Sequence, residues 1–345
     1  MNLNTVLVSF GWIFVGVYTY SDPKVLYSWK YLEYEYDSIE QESDAKRSGA
    51  YDLRNNLLTD VEFAPDGRIF VTILREQGVP ASLATIGNGT GDGGGPLLKP
   101  YPDWSWTDAS NCDNLVAVYR TALDECNRLW VLDTGKVGDD NVCDPKLLAF
   151  DLSTNKVVKR VDIPPKLARN ADGVGLLVYP IVETMGTDCT ETNVYMADMF
   201  GSGLVIWNGE DMWRIESPYF AADPDATEFS VNGTDFNYVR GLFALSITKE
   251  KNATDRLLYF RPLSSYDMYH TQVADLHSKK QDQALIEYCK EPTKLPSQSV
   301  AQAFSSEGIL FFSGTTETSI LCWNQQKSFV PENIVRIVLI MSRGL

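Results

Sequence analysis

Histidine is the scarcest of the residues that commonly carry enzyme chemistry: the 345-residue chain has two, His270 and His277. A Ser-His-Asp triad or a histidine-rich metal site would have to use one of them. Neither lies in a recognisable motif, and the sequence contains no GxSxG, HExxH, Walker or CxxC pattern. We therefore expect both histidines to be ordinary surface or packing residues, and we expect no metal and no cofactor.

Positive charge is also in short supply. Thirty Lys and Arg residues face 46 Asp and Glu residues, which gives a net charge of −16 at pH 7. Such a surface disfavours nucleic acids and anionic membranes and suits small cationic ligands. We expect no nucleic-acid partner and no membrane partner.

A membrane-spanning run is missing, because a span needs ~20 apolar residues and the apolar run Val6–Val17 is shorter. Residues 1–20 carry no charged side chain, so this segment is predicted to be a signal peptide, with an N-terminal core strand as the alternative. The even count of six cysteines agrees with secretion. So do three Asn-x-Thr sequons, predicted glycosylation sites at Asn88, Asn232 and Asn252. The predicted location is extracellular.

Long helical periodicity is absent, whereas short apolar runs recur. The stretch Leu115–Leu152 holds three such runs separated by polar joints, and Val157–Ile163 supplies a fourth. Four strands in about 50 residues have the size and order of one propeller blade.

The chain repeats a unit of two apolar strands around a joint that contains Asp, Gly or Asn. Five such pairs occur: LLTDVEF with RIFVTIL, LVAVYR with RLWVLD, GLLVYPIVE with NVYMADMF, YVRGLFALSI with RLLYFRPL, and SVAQAF with GILFFSG. A β-sandwich also has many short strands, but it does not predict a repeating paired unit. The pattern predicts an all-β chain folded as a β-propeller.

Several motifs resemble the yellow / major royal jelly protein family of insects. The most distinctive is the Cys-x-Arg-Leu-Trp-Val-Leu-Asp run that begins at Cys126, and the matches extend from about Trp29 to Asn333. Further matches are Tyr195-Met196-Ala197-Asp198, Trp213-Arg214, Leu258-Tyr259-Phe260 and Leu321-Cys322-Trp323-Asn324. The resemblance implies a secreted six-bladed propeller.

The chain departs from the family after its fifth strand pair. The expected sixth pair is missing, and the sequence IVRIVLIMSRGL that follows Asn333 does not resemble the family's continuation. The resemblance therefore implies a six-bladed type of propeller with an incomplete sixth blade. The predicted domains are a signal peptide at 1–20, a yellow-like propeller at 21–333 and an off-family tail at 334–345.

Blade geometry predicts how the cysteines pair. In a four-stranded blade, the start of the first strand and the loop between strands two and three share one face, which joins Cys112 to Cys143. The turns between strands one and two lie on the other face, which joins Cys126 to Cys189. Elimination leaves Cys289–Cys322.

Candidate site residues lie on or at the ends of the apolar strands. The candidates for acid–base chemistry are Asp133, Asp198 and Tyr195. The candidates for lining a ligand pocket are Arg120, Tyr119, Tyr179, Phe243 and Phe312. For each of them a structural role remains open, in which the charged groups anchor blades and the aromatic rings fill the core between blades.

The resemblance implies three functions that the residues do not separate. Some relatives convert dopachrome in melanin and cuticle pigmentation, a tautomerisation that needs one acid and one base. Others bind biogenic amines without chemistry, and others are structural or nutritional proteins. The sequence therefore predicts a secreted yellow-like protein that acts on or binds a small aromatic amine or catechol-derived ligand, and it leaves open whether the protein is an enzyme.

Overall fold

Five sheets of four antiparallel strands account for most of the fold, and each is built from one uninterrupted stretch of chain. The computed structural model describes residues 25–186, 189–231, 233–250, 252–316 and 318–338, so the predicted signal peptide lies outside the described residues. The five predicted strand pairs form the first two strands of the five sheets. The prediction of an all-β propeller is confirmed, with five blades.

A helix precedes the first blade, in a polar stretch of the chain. Helix α1 spans Ile39–Ser48 and buries none of its residues, so no apolar stripe revealed it. Its ends carry the signals instead: the Ser38 side chain accepts a hydrogen bond from the Gln41 amide, and Gly49 adopts a left-handed conformation after the last turn.

The blades follow in chain order. Blade 1 contains β1 (Leu58–Phe63), β2 (Ile69–Ile73), β3 (Leu83–Thr90) and β4 (Pro96–Pro100). Blade 2 contains β5 (Val118–Leu123), β6 (Arg128–Asp133), a small hairpin of β7 (Lys136–Val137) and β8 (Asp140–Asn141), then β9 (Lys146–Asp151) and β10 (Lys156–Asp162). Helix α2 (Pro165–Ala168) leads to blade 3, which contains β11 (Leu177–Met185), β12 (Glu191–Asp198), β13 (Gly203–Trp207) and β14 (Met212–Glu216).

A second hairpin, β15 (Glu228–Val231) and β16 (Thr234–Asn237), separates blades 3 and 4. Blade 4 contains β17 (Leu242–Ile247), β18 (Leu257–Pro262), β19 (Tyr269–Gln272), helix α3 (Val273–Ser278) and β20 (Cys289–Lys290). Blade 5 contains β21 (Gln302–Phe304), β22 (Ile309–Gly314), β23 (Ser319–Asn324) and β24 (Ile334–Val338). None of the described helices is long and apolar enough to cross a membrane.

The core lies between the blades, because alternate residues of a strand face opposite sides of its sheet. On β6, Leu129 and Val131 pack with blade 1, whereas Trp130 and Leu132 pack with blade 3. All four are almost fully buried. Burying a large apolar side chain stabilises the fold by about 1.5–3 kcal/mol, which explains why the second strands read as continuous apolar runs.

The ring of blades is open on one side. The first strands β1, β5, β11, β17 and β21 contact one another in series, and across the described residues no contact of comparable extent joins β21 back to β1. On the open side, Val61 and Phe63 of β1 are 53% and 58% exposed. The N-terminal segment 25–36 lies along the outer edge of blade 1, where Tyr34 pairs with Leu98 in parallel.

Two of the three predicted disulfides are confirmed: Cys112–Cys143 within blade 2, and Cys126–Cys189 between blades 2 and 3. The third, Cys289–Cys322, is wrong. Cys289 is exposed on the outer strand of blade 4, whereas Cys322 is buried in the third strand of blade 5, and both are free. Elimination is not a geometric argument, and this pair has no shared face.

The first part of the predicted tail belongs to the last blade. Ile334–Val338 forms β24, which pairs with β23 from Ser319 to Trp323. Four of its five residues are apolar, and it completes blade 5 as a fourth strand. The boundary at residue 333 stays a prediction, and residues 339–345 lie outside the described part of the chain.

Candidate ligand-binding channel

The first strands of the blades enclose a cavity of about 210 Å³, here called the channel. It receives side chains from every blade. Its lining comprises Asp60 and Glu62 of β1, residues 120–123 of β5, 179–182 of β11, 245–247 and Lys249 at the end of β17, and 302–304 of β21. The channel lies at the axis because the first strands, which line it, contact one another in series around the ring.

Arg120 is the central cation of the channel. Its guanidinium pairs with Asp60 at 3.1 Å and donates to the Val300 carbonyl at 2.8 Å, so it links blades 1 and 2 to blade 5. The same group lies 4.6 Å from the centre of the Tyr179 ring and 5.4 Å from that of Phe243. Arg120 is therefore held by a carboxylate, a carbonyl and two rings.

Two acidic side chains of β1 differ sharply in how they are held. Asp60 accepts hydrogen bonds from Arg120 and from the Thr121 amide, although burial still raises the pKa of its carboxyl. Glu62, two residues on, has no hydrogen bond or ion pair within the described residues. Burial, reinforced by the nearby negative charge of Asp60, raises the pKa of Glu62 to about 8. Glu62 is therefore an unpaired acid that titrates close to neutral pH.

The channel lining also includes an aromatic ring and an amine. Phe304 of β21 and Lys249 both line the channel, and Lys249 also lines a neighbouring cavity of about 370 Å³ between blades 4 and 5. That second cavity carries the acidic residues Glu250, Asp255 and Glu307. A positively charged ligand would therefore meet carboxyl groups on both sides of Lys249.

The structure brings together three of the five predicted pocket residues: Arg120 and Tyr179 line the channel, and Phe243 contacts both of them from outside the lining. Tyr179 also donates from its hydroxyl to the Gln302 carbonyl at 2.8 Å, which ties blade 3 to blade 5. Phe312 does not join them: it is 2% exposed in the core between blades 4 and 5, because it faces away from the axis.

Tyr119 also lies outside the channel lining. It packs against the core between blades 3 and 4, and burial raises its pKa to about 12. The chain shifts register between Val118 and Thr121, so Tyr119 and Arg120 do not follow the simple alternation of a regular strand.

Asp133 and Asp198 are placed at blade anchors and not in the channel. Asp133 is fully buried, accepts from the amides of Val116, Ala117 and Gly135, and pairs with Lys146 at 2.7 Å. Its oxygens are thus engaged by structural donors, which favours the anchoring role that the sequence left open.

Asp198 repeats this arrangement one blade further on. It accepts from the amides of Leu176 and Gly201 and pairs with Arg214 at 2.9 Å. Burial nevertheless raises its pKa. Both aspartates end the second strand of their blade and hold the chain that enters the first strand.

Tyr195 lies in a buried network between blades 3 and 4. Its hydroxyl donates to Glu183 at 3.0 Å and lies 2.8 Å from Nε2 of His277, and Arg256 pairs with the same Glu183 at 2.6 Å. Burial raises the pKa of Tyr195 well above its usual value. This network does not open to the channel lining, so the three proposed acid–base candidates are not brought together.

Two of the predicted glycosylation sites are described. Asn88 is exposed near the end of β3, and Asn252 is exposed before the short helical turn Ala253–Asp255. Asn232 lies outside the described residues. Glycosylation at all three stays a prediction.

Sequence reasoning missed the two acids of the channel, Asp60 and Glu62. The signal was present in the strand LTDVEF, where acidic residues alternate with Val61 and Phe63. On a first strand this alternation puts both carboxyl groups on one face. Asp133 and Asp198 drew attention instead because they end more apolar strands.

Comparison with known proteins gives a consistent family. A family model described as "Major royal jelly protein" matches residues 116–342. Major royal jelly protein 9 of Apis mellifera is 38% identical over 315 residues, which cover 90% of this chain and 72% of that protein. Major royal jelly protein 1 of the same organism is 37% identical over 317 residues, with the same coverage of 90% and 72%.

Solved structures with a similar course of the chain are far more distant. Hydrazine synthase of Kuenenia stuttgartiensis is 8% identical, with a TM-score of 0.45 over 77% of this chain and 70% of that one. A virginiamycin B lyase from Staphylococcus aureus is 12% identical, with a TM-score of 0.42 over 83% and 85% of the two chains. With scores this low, neither structure says anything about what this chain binds.

Proposed function

The chain belongs to the major royal jelly protein family, and from that premise we propose that it binds a small aromatic amine or a catechol-derived molecule in the channel. The observation that carries this proposal is Glu62, an acid in the channel without a hydrogen bond or ion pair among the described residues, beside an arginine that pairs with Asp60 instead. A cationic amine would stabilise the carboxylate form of Glu62 and pair with it.

The dimensions and the lining support a small ligand. A channel of about 210 Å³ falls below the roughly 300–1,000 Å³ of pockets for drug-sized molecules. Phe304 lines the channel with a ring that also packs edge-on against Tyr259, while Arg120 already covers the Tyr179 ring. In this arrangement Glu62 holds the ammonium group and the aromatic part lies toward Phe304.

Titration calorimetry with dopamine and serotonin tests the proposal. We expect heat of binding for the unmodified protein and at least a tenfold loss of affinity for Glu62→Gln, which keeps the shape and removes the charge. Glu125→Gln is the matched control, because Glu125 is exposed and outside the channel lining. Equal affinity of both variants, or no heat with any amine, would contradict the proposal.

A second function, dopachrome conversion, is favoured by one specific observation: the pKa of Glu62 is about 8, near the pH at which a general acid–base works best. The Glu62 carboxylate would take a proton from a ring carbon of dopachrome, and the carboxylic acid so formed would return a proton to the quinone oxygen. This isomerisation consumes no oxidant. Loss of dopachrome absorbance no faster than in buffer would remove this function and leave the binding proposal standing.

We further propose that the protein is secreted into an extracellular pigmentation setting and that its complete ring is of the six-bladed type. The two disulfides fit an oxidising compartment. The exposed apolar residues Val61 and Phe63 on the open side of β1 fit a further blade that would cover them.

A further inference from the structure

Arg261 of β18 is fully buried, yet none of its three guanidinium nitrogens has a hydrogen-bond partner within the described residues. An isolated buried charge is costly, and buried charges in proteins are normally paired or hydrogen-bonded. By contrast, the strand residues Arg120 and Arg214 form ion pairs, and each has a carboxylate within 3.1 Å. Arg261 is thus an exception that requires an explanation.

The side chain of Arg261 faces blade 5. On β18, Leu258 and Phe260 pack in the core toward blade 3, whereas Tyr259 packs with the residues of blade 5. Because side chains alternate along a strand, Arg261 lies on the same side as Tyr259. The guanidinium is therefore enclosed between blades 4 and 5.

The face of blade 5 that lies toward blade 4 ends in a small and a polar residue. On β22 and β23, Leu310 and Leu321 face blade 4, and the same alternation brings Gly314 and Ser319 to that side at the far ends of their strands. Gly314 and Ser319 pair with each other, beside the large side chains of Phe312 and Leu321 on the same face.

Two further buried polar atoms without a partner belong to blade 5. They are the Ser319 hydroxyl oxygen and Oε1 of Gln302. The amide nitrogen of Gln302 donates to the Tyr259 carbonyl at 2.8 Å, which places the Gln302 side chain beside the residue two positions before Arg261. Unpartnered groups of β18, β21 and β23 therefore lie on the facing sides of blades 4 and 5.

The positive charge of Arg261 has no negative counterpart among the described residues around it. Burial alone lowers the pKa of Arg261 to about 9, and no carboxylate among the described residues acts on it. The guanidinium therefore remains positively charged at neutral pH. Its N–H groups and the Ser319 hydroxyl together offer donors in excess of the single free acceptor, Gln302 Oε1.

We propose that a small monovalent anion of the size of chloride binds between blades 4 and 5, held by the guanidinium of Arg261 and the hydroxyl of Ser319. The anion neutralises a charge that the chain itself leaves unpaired, and it joins the second strand of blade 4 to the third strand of blade 5. Arg261 and Ser319 are not among the residues that line the channel, so this proposal does not rest on the function proposed for the channel.

Thermal unfolding of the full chain in sodium chloride, sodium bromide and sodium gluconate at constant ionic strength tests the proposal. For the unmodified protein we expect a saturable rise in Tm with chloride or bromide, roughly 3–6 °C at a hundredfold excess over Kd. For Arg261→Met we expect no halide-specific rise. Arg160→Met is the control, because it removes an exposed positive charge from β10 and should retain the full halide effect.

A direct measurement covers the case in which Arg261→Met does not fold. Crystals of the unmodified protein soaked in bromide should show an anomalous peak at Arg261. A Tm that responds equally to all three salts, or a bromide-soaked crystal with only ordered water at the guanidinium, would overturn the proposal.

Discussion

Asp133 and Asp198 occupy matching positions in blades 2 and 3, and each binds the same kinds of partner. Each ends a second strand, accepts from backbone amides of the entering first strand and of the following turn, and pairs with a cation of its own blade. The pattern ties three parts of one blade to a single carboxylate. Their burial and repetition indicate that these side chains hold structure.

We expect Asp133→Ala to lower the free energy of unfolding by about 3–5 kcal/mol, because it leaves Lys146 buried without a counter-charge. Chemical denaturation measures this loss. The double variant Asp133→Ala/Lys146→Met should recover part of it, since the orphaned cation is gone. Channel affinity, measured on folded protein, should be unchanged within twofold; a large loss of ligand turnover with normal stability would instead give Asp133 a role in chemistry.

The pKa of Glu62 sets a pH dependence for amine binding. Only the carboxylate form attracts an ammonium group, and the pKa of Glu62 is about 8. Below that value the carboxylate fraction rises about tenfold per pH unit, so the affinity for dopamine should rise between pH 6 and pH 8. Calorimetry at several pH values checks this.

Glu62→Gln provides the control for that dependence. Its affinity should be low and flat over the same range. A raised carboxyl pKa favours the folded state at low pH, and this contribution is lost as the pH rises from the unfolded value of about 4.5 to the folded value of about 8. The variant should therefore have a higher Tm than the unmodified protein at pH 8. Affinity that is independent of pH in both proteins would exclude Glu62 as the ammonium partner.

At the scale of strands and turns, the sequence predicted what local pattern controls. The five strand pairs and the four-stranded blade around Leu115 were readable because second strands such as Arg128–Asp133 are buried on both sides. The apolar pattern did not predict helix α1, because the helix buries none of its residues and its ends are marked only by the caps Ser38 and Gly49. The sequence predicted part of the channel lining. Arg120 and Tyr179 stand out as polar groups in apolar strands, whereas Glu62 resembles an ordinary surface acid and only the arrangement of the blades shows that it lines the channel.

The cysteines give a direct test of the corrected pairing. In native protein, a thiol reagent should modify Cys289 rapidly and leave Cys322 unmodified, because the first is exposed and the second buried. After unfolding without reduction, both should react, for two thiols in total. Mass spectrometry of the labelled peptides identifies them. Absence of any free thiol after unfolding would restore the Cys289–Cys322 bridge.

For the molecule as a whole, the open side of the ring is its most unusual surface. Neighbouring first strands contact one another from β1 round to β21, and Val61 and Phe63 are left largely exposed where a sixth blade is proposed. Large exposed apolar side chains on a sheet invite association with other chains. This surface arises from how blades are arranged, which no local pattern of residues reveals.

We expect Val61→Thr/Phe63→Ser to change the free energy of unfolding of the monomer by less than about 1 kcal/mol, because both side chains are already in solvent. The same variant should reduce concentration-dependent association in analytical ultracentrifugation. The matched control is Phe70→Ser, since Phe70 is 1% exposed on the adjacent strand. This variant should destabilise the protein by about 3–5 kcal/mol. Strong destabilisation by the exposed pair would mean that the ring is closed in solution.

The Cys126–Cys189 disulfide would also hold the molecule together after proteolysis, because each blade is made of one stretch of chain. Between blades 2 and 3 the chain passes through an exposed loop at 171–174. A protease that cleaved there would sever no sheet, and the two fragments would remain covalently joined through the sulfurs on either side of the cut. Such a nicked molecule would migrate as one species on a non-reducing gel and as two once a reductant is added.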